Sequence, residues 1–173
     1  ANGHFYEGIA NGSHISWKAA RDAAEQRGGY LATITSQEEN DFVFSLIDDD
    51  VFWRFDTYSA GPYIGGFQED DSNEPAGGWI WVTGEPFVYT NWELNEPQDP
   101  FGSSDFLAFF GNSVDNPNQG TGETSPRWHD LDNNWTEQRS YVIEWEAVPE
   151  PSTFALLCMS AVGLIVYWRR RAS

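Results

Sequence analysis

The chain has 173 residues, and its 27 acidic and 9 basic side chains give a formal net charge of −18 at pH 7. This charge excludes nucleic acid as a partner, because phosphate binding needs a basic surface. It favours divalent cations, since clustered carboxylates repel one another unless a cation neutralises them, although a merely soluble acidic surface is the simpler alternative. The only cysteine is Cys158, near the C-terminus. The preceding part can therefore hold neither a disulfide nor a cysteine-ligated zinc ion.

The first predicted helix follows an edge strand over residues 3–9. Ser16 stands at its N-cap position, and Gly28 with Gly29 ends it. Its apolar positions recur at helical spacing and comprise Trp17, Ala20, Ala23 and Ala24.

A second helix is predicted after a short alternating strand over residues 30–34. Ser36 and Glu39 form a capping box, and the helix continues to about residue 47. Its inward face is expected to carry Phe42, Val43, Leu46 and Ile47.

The rest of the chain is a series of short apolar or alternating runs separated by loops rich in Gly, Asn and Asp. These runs are residues 63–66, 79–82, 106–110 and 141–145, and residues 111–127 form a polar loop. The pattern predicts an α+β domain with two helices and an antiparallel half that is rich in loops.

Six segments within residues 3–147 resemble, in order, the C-type lectin-like domain. They are SWKAARDAAEQRGGYLATITSQEEN, YIGGFQ, GWIWVTGEPFVYTNW, NEPQD, WHDLDNNW and YVIEWE. The resemblance implies a C-type lectin-like α+β fold with two helices, two small antiparallel sheets and a long loop region that often binds calcium. The disulfides that are usual in the family are absent, and Ala24, Phe106 and Ile143 stand at cysteine positions.

The same resemblance implies a site for calcium and sugar. In the family, a Glu-Pro-Asn or Gln-Pro-Asp triplet with a cis proline binds the ion and holds two vicinal hydroxyls of the sugar. The triplet here is Glu96-Pro97-Gln98, where Glu96 matches the mannose-type pattern and Gln98 keeps an amide oxygen one methylene further out. The Trp-Asn-Asp motif keeps Asp130 but has His129 in place of the amide, and neutral imidazole is a poor calcium ligand.

A second, supporting calcium site is implied by four further acidic residues. They are Asp99, Asp105, Asp70 and Glu74. At the first, sugar-binding site, a carboxylate that normally precedes Asp105 is replaced by Ser104, which removes a charge. A solvated acidic loop without a metal remains the alternative.

Two tryptophans offer aromatic faces for a sugar ring. Trp92 is expected in the core instead, because TNW corresponds to a family strand, whereas Trp135 could be either a core residue or a contact for sugar. The three histidines His4, His14 and His129 are dispersed, and no Ser or Cys lies in a nucleophile motif, so the sequence does not predict an enzyme.

The C-terminal residues predict a separate tail over residues 148–173, which leaves residues 1–147 as the lectin-like domain. The apolar run FALLCMSAVGLIVYW spans roughly 22 Å as a helix against a hydrocarbon core of about 30 Å, and Thr153 extends the predicted transmembrane segment to residues 153–168. Arg169, Arg170 and Arg171 then place the C-terminus in the cytoplasm and the domain outside. The chain opens on polar sequence, so we expect that a leader was removed.

The tail resembles the PEP-CTERM sorting signal of Gram-negative bacteria, because Pro149-Glu150-Pro151, the apolar run and the arginines occur in order. The resemblance implies recognition by an exosortase, cleavage near this motif, and delivery to the envelope or to exopolysaccharide. The sequence therefore predicts an exported, calcium-dependent, carbohydrate-binding protein. A calcium-independent domain that binds protein or matrix is the alternative.

Overall fold

A computed structural model describes residues 3–54, 60–69, 73–99, 102–111, 124–134 and 138–147. The helices of this part are α1, Trp17–Gln26, and α2, Gln37–Ile47, followed by a short 3-10 turn at Asp50–Phe52. Its strands are β1 Phe5–Ile15, β2 Tyr30–Leu31, β3 Ala60–Gln68, β4 Trp79–Trp81, β5 Phe106–Gly111, β6 Thr124–Leu131 and β7 Gln138–Trp145. The predicted α+β class is confirmed.

The strands of the described residues form one connected sheet. Its order is β1-β7-β3-β5-β6, with β2 paired to β7 and β4 paired to β3. The pairings are antiparallel except between β3 and β7, which run parallel at Tyr63 and Tyr141. Because β7 pairs with β1, β2 and β3, the two predicted antiparallel sheets are joined into one mixed sheet.

The residues at the two ends of helix α1 determine where it begins and where it ends. The Ser16 side chain accepts a hydrogen bond from the Ala19 N–H, which satisfies a donor that the first turn leaves unpaired. The chain leaves the helix through Gly28, whose φ of +77° is a conformation that glycine adopts without a steric penalty. The buried face consists of Trp17, Ala20 and Ala24.

Helix α2 begins at its predicted cap but turns a different face inward. Its buried residues are Asn40, Val43 and Ile47, whereas Phe42 is 51% exposed and Leu46 is 36% exposed. Asn40 is held inside because its amide donates to the Pro126 carbonyl at 3.1 Å and accepts from the Trp128 indole N–H at 2.8 Å. The prediction that Phe42 and Leu46 point inward is therefore wrong.

Apolar side chains occupy the positions where the family has cysteines. Ala24, Phe106 and Ile143 are all buried in one cluster. The Phe106 ring stacks on Trp17 with the two ring centroids 4.6 Å apart. Side-chain packing thus connects α1 to β5 and β7 where the family usually has disulfides.

The predicted tail, residues 148–173, lies outside the described residues, and its membrane span remains a prediction. Within the described ranges, no helix is long and apolar enough to cross a membrane. The predicted polar loop over residues 111–127 is shortened at its end, since β6 already begins at Thr124.

Candidate functional site

The Glu96-Pro97-Gln98 triplet lies in the loop between β4 and β5. Its Glu96–Pro97 peptide bond is cis, as the resemblance requires. The flanking residues Asn95 and Asp99 have positive φ angles of 69° and 40°, so the chain turns on both sides of the triplet. The Gln98 side-chain amide donates to Glu96 Oε1 at 3.0 Å, which brings the two side chains together.

Asp130, near the end of β6, anchors this loop. One of its carboxylate oxygens accepts from the Gln98 N–H at 3.0 Å and the other from the Asp99 N–H at 2.8 Å. Asp130 is only 8% exposed, and its pairing with Leu107 of β5 fixes its backbone in the sheet. Glu96, Gln98 and Asp130 therefore converge, and we refer to these three residues as the loop cluster.

Burial and its neighbour Asp130 hold the pKa of Glu96 well above its usual range. Burial raises the pKa of Glu96 to about 9, with a hydrogen bond to Asp130 and the charge of Asp130 as the next causes. The hydrogen bond from Gln98 lowers it, and the charge of Glu93 raises it further. Glu96 therefore keeps its proton near pH 7, and a cation bound beside it would favour the charged form.

His129 does not join the loop cluster. It is 8% exposed and packs edge-on against Phe110, with the ring centroids 5.3 Å apart. Burial lowers its pKa to about 4, although Asp130 and the Phe109 backbone act in the opposite direction. The imidazole is therefore neutral near pH 7, and its Nε2 has no hydrogen-bond partner in the described structure. It offers no oxygen ligand to an ion.

The residues predicted for a second calcium site have separate partners. Asp99 Oδ1 accepts from the Ser103 and Ser104 N–H groups at 2.6 and 2.8 Å. Asp105 accepts from the Asn133 side chain, and Glu74 Oε2 accepts from Gln68 Nε2 at 3.1 Å. Asp70 lies outside the described residues. In the described ranges, no group of three or more His, Cys, Asp or Glu residues could hold a metal ion.

A set of loop contacts was not predicted from the sequence. Asp132 accepts from the Ser103 hydroxyl and from the Asn134 N–H, both at 2.6 Å. The Asn133 N–H donates to the Ser103 carbonyl at 2.7 Å. These bonds connect the segment after the triplet to the end of β6, and no spacing rule in the sequence marks them.

Trp92 belongs mainly to the core. Its ring centroid lies 5.0 Å from that of Trp79 and 6.2 Å from that of Trp128, and its backbone forms a parallel bridge with Trp128. The Trp92 side chain is half-buried, and its contacts agree with the expectation that it lies in the core. Trp135 lies outside the described residues, so its role stays a prediction.

The order of the elements and the position of the triplet can be compared with known protein families. The lectin C-type domain model matches residues 13–142. The chain belongs to the C-type lectin domain family. A second model, the PEP-CTERM protein-sorting motif, matches residues 147–171. The chain is thus a C-type lectin-like protein that carries a PEP-CTERM protein-sorting motif.

Curated relatives share part of this lectin-like chain. The C-type mannose receptor 2 of Mus musculus is 33% identical over 88 residues, which are 51% of this chain and 5% of the receptor. Halomucin of Haloquadratum walsbyi is 31% identical over 153 residues, which are 83% of this chain and 1% of halomucin. The chain therefore spans only a small part of each of these two relatives.

Solved structures share the fold of this C-type lectin-like protein. The carbohydrate-recognition domain of cow CD23, determined in the presence of a GlcNAc2Man3 oligosaccharide, has a TM-score of 0.58 at 24% identity and aligns over 84% of this chain and 88% of its own. A calcium-independent type II antifreeze protein has a TM-score of 0.59 at 20% identity and aligns over 86% and 90%. The likeness to both a carbohydrate-recognition domain and an antifreeze protein shows the fold of this chain.

Proposed function

We propose that this C-type lectin-like protein binds a glycan at the loop cluster with the help of a calcium ion. The observation that carries the proposal is the convergence of Glu96 and Gln98, from one turn, on Asp130 of β6. The two side chains of the triplet lie next to each other, with Gln98 Nε2 3.0 Å from Glu96 Oε1, and we propose that they contact adjacent hydroxyls of one sugar ring. C-type lectin domains often bind calcium, and the cow CD23 domain was solved with an oligosaccharide.

The chemistry of the loop cluster suits calcium, although its ligand count is low. Two carboxylates and one amide oxygen are the hard donors that the ion prefers, but it takes six to eight of them. Water and the sugar would have to supply the rest. When bound, the ion would neutralise the carboxylates and coordinate sugar hydroxyls. Glu96 and Gln98 would orient the ring through hydrogen bonds, and the expected affinity for one sugar is weak because the contact is shallow.

The proposed setting is the cell envelope or exopolysaccharide. The PEP-CTERM motif supports export and envelope sorting, and we propose that an exosortase recognises it and cleaves near Pro149-Glu150-Pro151. The tail would then cross the membrane only before processing. This setting would place the lectin-like domain beside the polysaccharides that it binds.

Calcium binding is tested by measuring the melting temperature of the full chain in a neutral maltoside detergent, once with calcium and once with a chelator. An ion that binds only the folded state raises the melting temperature at saturation. We expect a rise at millimolar calcium that the Glu96→Ala variant lacks and that the matched Glu25→Ala variant, on exposed α1 surface, retains. Equal melting temperatures for the wild-type chain with calcium and with chelator would rule out the calcium step.

A second candidate function is calcium-independent binding of protein or matrix. It is supported by Asp130, whose carboxylate accepts hydrogen bonds from the Gln98 and Asp99 N–H groups. These bonds hold the loop through groups of the protein itself, so its shape needs no ion. It is also supported by Leu94 and Val88, which are 80% and 81% exposed near the triplet. Binding of an extracellular partner that persists in chelator, and that Leu94→Ser weakens, would favour this function over the first.

A further inference from the structure

A second concave site lies among the ends of β1, β2 and β7. It is a cavity of about 480 Å³ lined by Phe5, Gly28, Tyr30, Trp145 and Glu146. It shares no residue with the loop cluster, and β3 and β5 separate β7 from β6 in the sheet. Its lining is unusual for a surface, since three of its five residues are aromatic and one is a carboxylate.

The Trp145 ring is held in place on this site. Its indole N–H donates to the Arg27 carbonyl at 3.1 Å. The ring also passes so close to Gly29 that a Cβ atom there would meet Trp145 Nε1 at 2.8 Å and the Glu144 carbonyl oxygen at 2.5 Å. A side chain at position 29 would therefore displace the indole. Phe5 pairs with Trp145 across the β1–β7 ladder and is 63% exposed, so a second ring stands beside the first.

A helix end and a carboxylate bring negative charge to the cavity. Helix α1 ends at Gln26, two residues before Gly28 in the cavity wall, and the C-terminus of a helix carries partial negative charge. The exposed carboxylate of Glu146 lies in the wall itself. Burial raises the pKa of Tyr30, and the charges of Glu144 and Glu146 raise it further. The positive charge of Arg27, which precedes Gly28, is partly offset because its guanidinium lies 3.9 Å from the Glu7 carboxylate.

We propose that this cavity binds a small organic cation, an alkylated ammonium group whose charge faces the aromatic rings and Glu146. Aromatic faces attract such cations through the ring quadrupole, and the carboxylate adds a direct Coulomb attraction. The same field disfavours an anion, and a neutral ligand of equal shape gains only the apolar contact. The site is independent of the proposed glycan site and needs no metal.

Choline is the probe that tests this site. The full chain, in a maltoside detergent without phosphocholine headgroups, is titrated at constant ionic strength while NMR follows the indole N–H signal of Trp145. We expect a saturable shift with a millimolar dissociation constant. The neutral isostere, in which a tert-butyl group replaces the trimethylammonium group, should bind at least about threefold more weakly. Absence of a saturable shift at about 100 mM choline, or equal binding of the two probes, would overturn the proposal.

Two variants locate the binding, and one matched variant controls for it. Phe5→Ala and Glu146→Gln each remove one exposed contact and should weaken choline binding by about threefold or more. Phe42→Ala removes a ring of similar exposure on α2, outside this cavity, and should leave the binding unchanged. The remaining backbone signals report whether each variant keeps the fold. Equal affinities for the folded Phe5→Ala, Glu146→Gln and Phe42→Ala proteins would place the cation elsewhere and contradict the proposal.

Discussion

Asp130 holds the triplet loop through both of its carboxylate oxygens. Gln98 and Asp99 donate their backbone N–H groups to it, at a place where the carboxylate is almost fully buried. A buried N–H group that loses its acceptor destabilises the fold by more than the hydrogen bond had stabilised it, because water cannot reach the N–H group to replace the acceptor. The shape of the loop therefore depends on this one side chain.

We predict that Asp130→Ala lowers the free energy of unfolding by about 1–3 kcal/mol, because two loop N–H groups lose their acceptor. Chemical denaturation in chelator measures this loss without any contribution from an ion. The Asp130→Asn variant keeps one oxygen acceptor and should lose less. If both variants unfold like the wild-type chain, the loop is held by other contacts.

His4, which is partly exposed before β1, pairs with the buried Glu144 of β7. His4 Nδ1 lies 2.5 Å from Glu144 Oε1, and Glu144 is 1% exposed. The hydrogen bond to Glu144 raises the pKa of His4, and the charges of Glu144, Glu39 and Glu85 raise it further. Burial raises the pKa of Glu144, although its hydrogen bonds lower it. Both groups thus hold their proton more tightly in the folded protein than in the unfolded chain.

The contribution of the His4–Glu144 pair to stability should consequently fall as the pH rises, whereas the lowered pKa of His129 acts in the opposite direction up to about pH 7. The contribution of His4 is complete below the unfolded pKa of about 6.5 and is lost as the pH rises through its higher folded pKa. Deprotonation of Glu144 in the folded state acts in the same direction. Urea unfolding of the wild-type and His4→Gln chains between pH 6 and 8 isolates the contribution of His4, and the stability advantage of the wild-type chain should shrink as the pH rises. An advantage that stays constant or grows over this range would contradict the assignment.

Among the elements, α2 carries the polar contact that positions Trp128. Asn40 is buried and bonds both the Trp128 indole N–H and the Pro126 carbonyl. Trp128 in turn precedes His129 and Asp130 on β6, so this contact fixes the register of the strand that supplies the loop cluster. The link runs from a helix near the start of the chain to a strand near its end.

We predict that Asn40→Ala costs about 1–3 kcal/mol of folding free energy, because the buried Trp128 indole N–H loses its acceptor, whereas the Pro126 carbonyl keeps the hydrogen bond from Asn91. The exposed neighbour Asp41→Ala is the matched control and should change stability by no more than about 0.5 kcal/mol. Thermal or denaturant unfolding of both variants measures the difference. Similar values for the two would show that Trp128 finds another acceptor.

Local rules predicted the ends of the helices but not every buried face. Ser16 and Ser36 cap α1 and α2 because a hydroxyl before a helix accepts from its first turn. The inward position of Asn40 could not be predicted, because its partners Trp128 and Pro126 lie more than eighty residues away. Periodicity alone favoured Phe42, and the tertiary hydrogen bonds decided otherwise.

In the candidate site, too, the sequence predicted some features and tertiary contacts decided the others. The triplet and Asp130 could be found from the sequence because the family resemblance marks them. The separation of Asp105 and Glu74 could not, since it depends on the partners Asn133 and Gln68 that each carboxylate finds in the folded loops. The burial of His129 could not be predicted either, since it depends on the pairing of His129 with Ala108 of β5 in the sheet.

At the scale of the whole molecule, an acidic lectin-like domain is joined to a sorting motif. The motif over residues 147–171 suggests that the protein is exported. Under this account, the tail directs the domain and is then removed. The mature protein would consist of the lectin-like domain alone, released or attached near Pro149.

We predict that the exported protein lacks the apolar run over residues 154–168, because processing occurs near Pro149-Glu150-Pro151. Mass spectrometry of the protein recovered from the envelope or the medium gives its C-terminal residue directly. Expression in cells without an exosortase is the control and should leave the full chain. A mature protein that still ends at Ser173 in the presence of the exosortase would show that the tail is a permanent anchor.

The central claim is that the loop cluster binds a glycan with calcium, and a glycan array tests it most directly. The wild-type protein and Glu96→Ala are applied in millimolar calcium and in chelator, with Glu25→Ala as the matched control. The account predicts glycan binding by the wild-type and Glu25→Ala proteins in calcium, and loss of that binding in chelator and in folded Glu96→Ala. Glycan binding that survives both the chelator and Glu96→Ala, or its absence in calcium, would contradict the account.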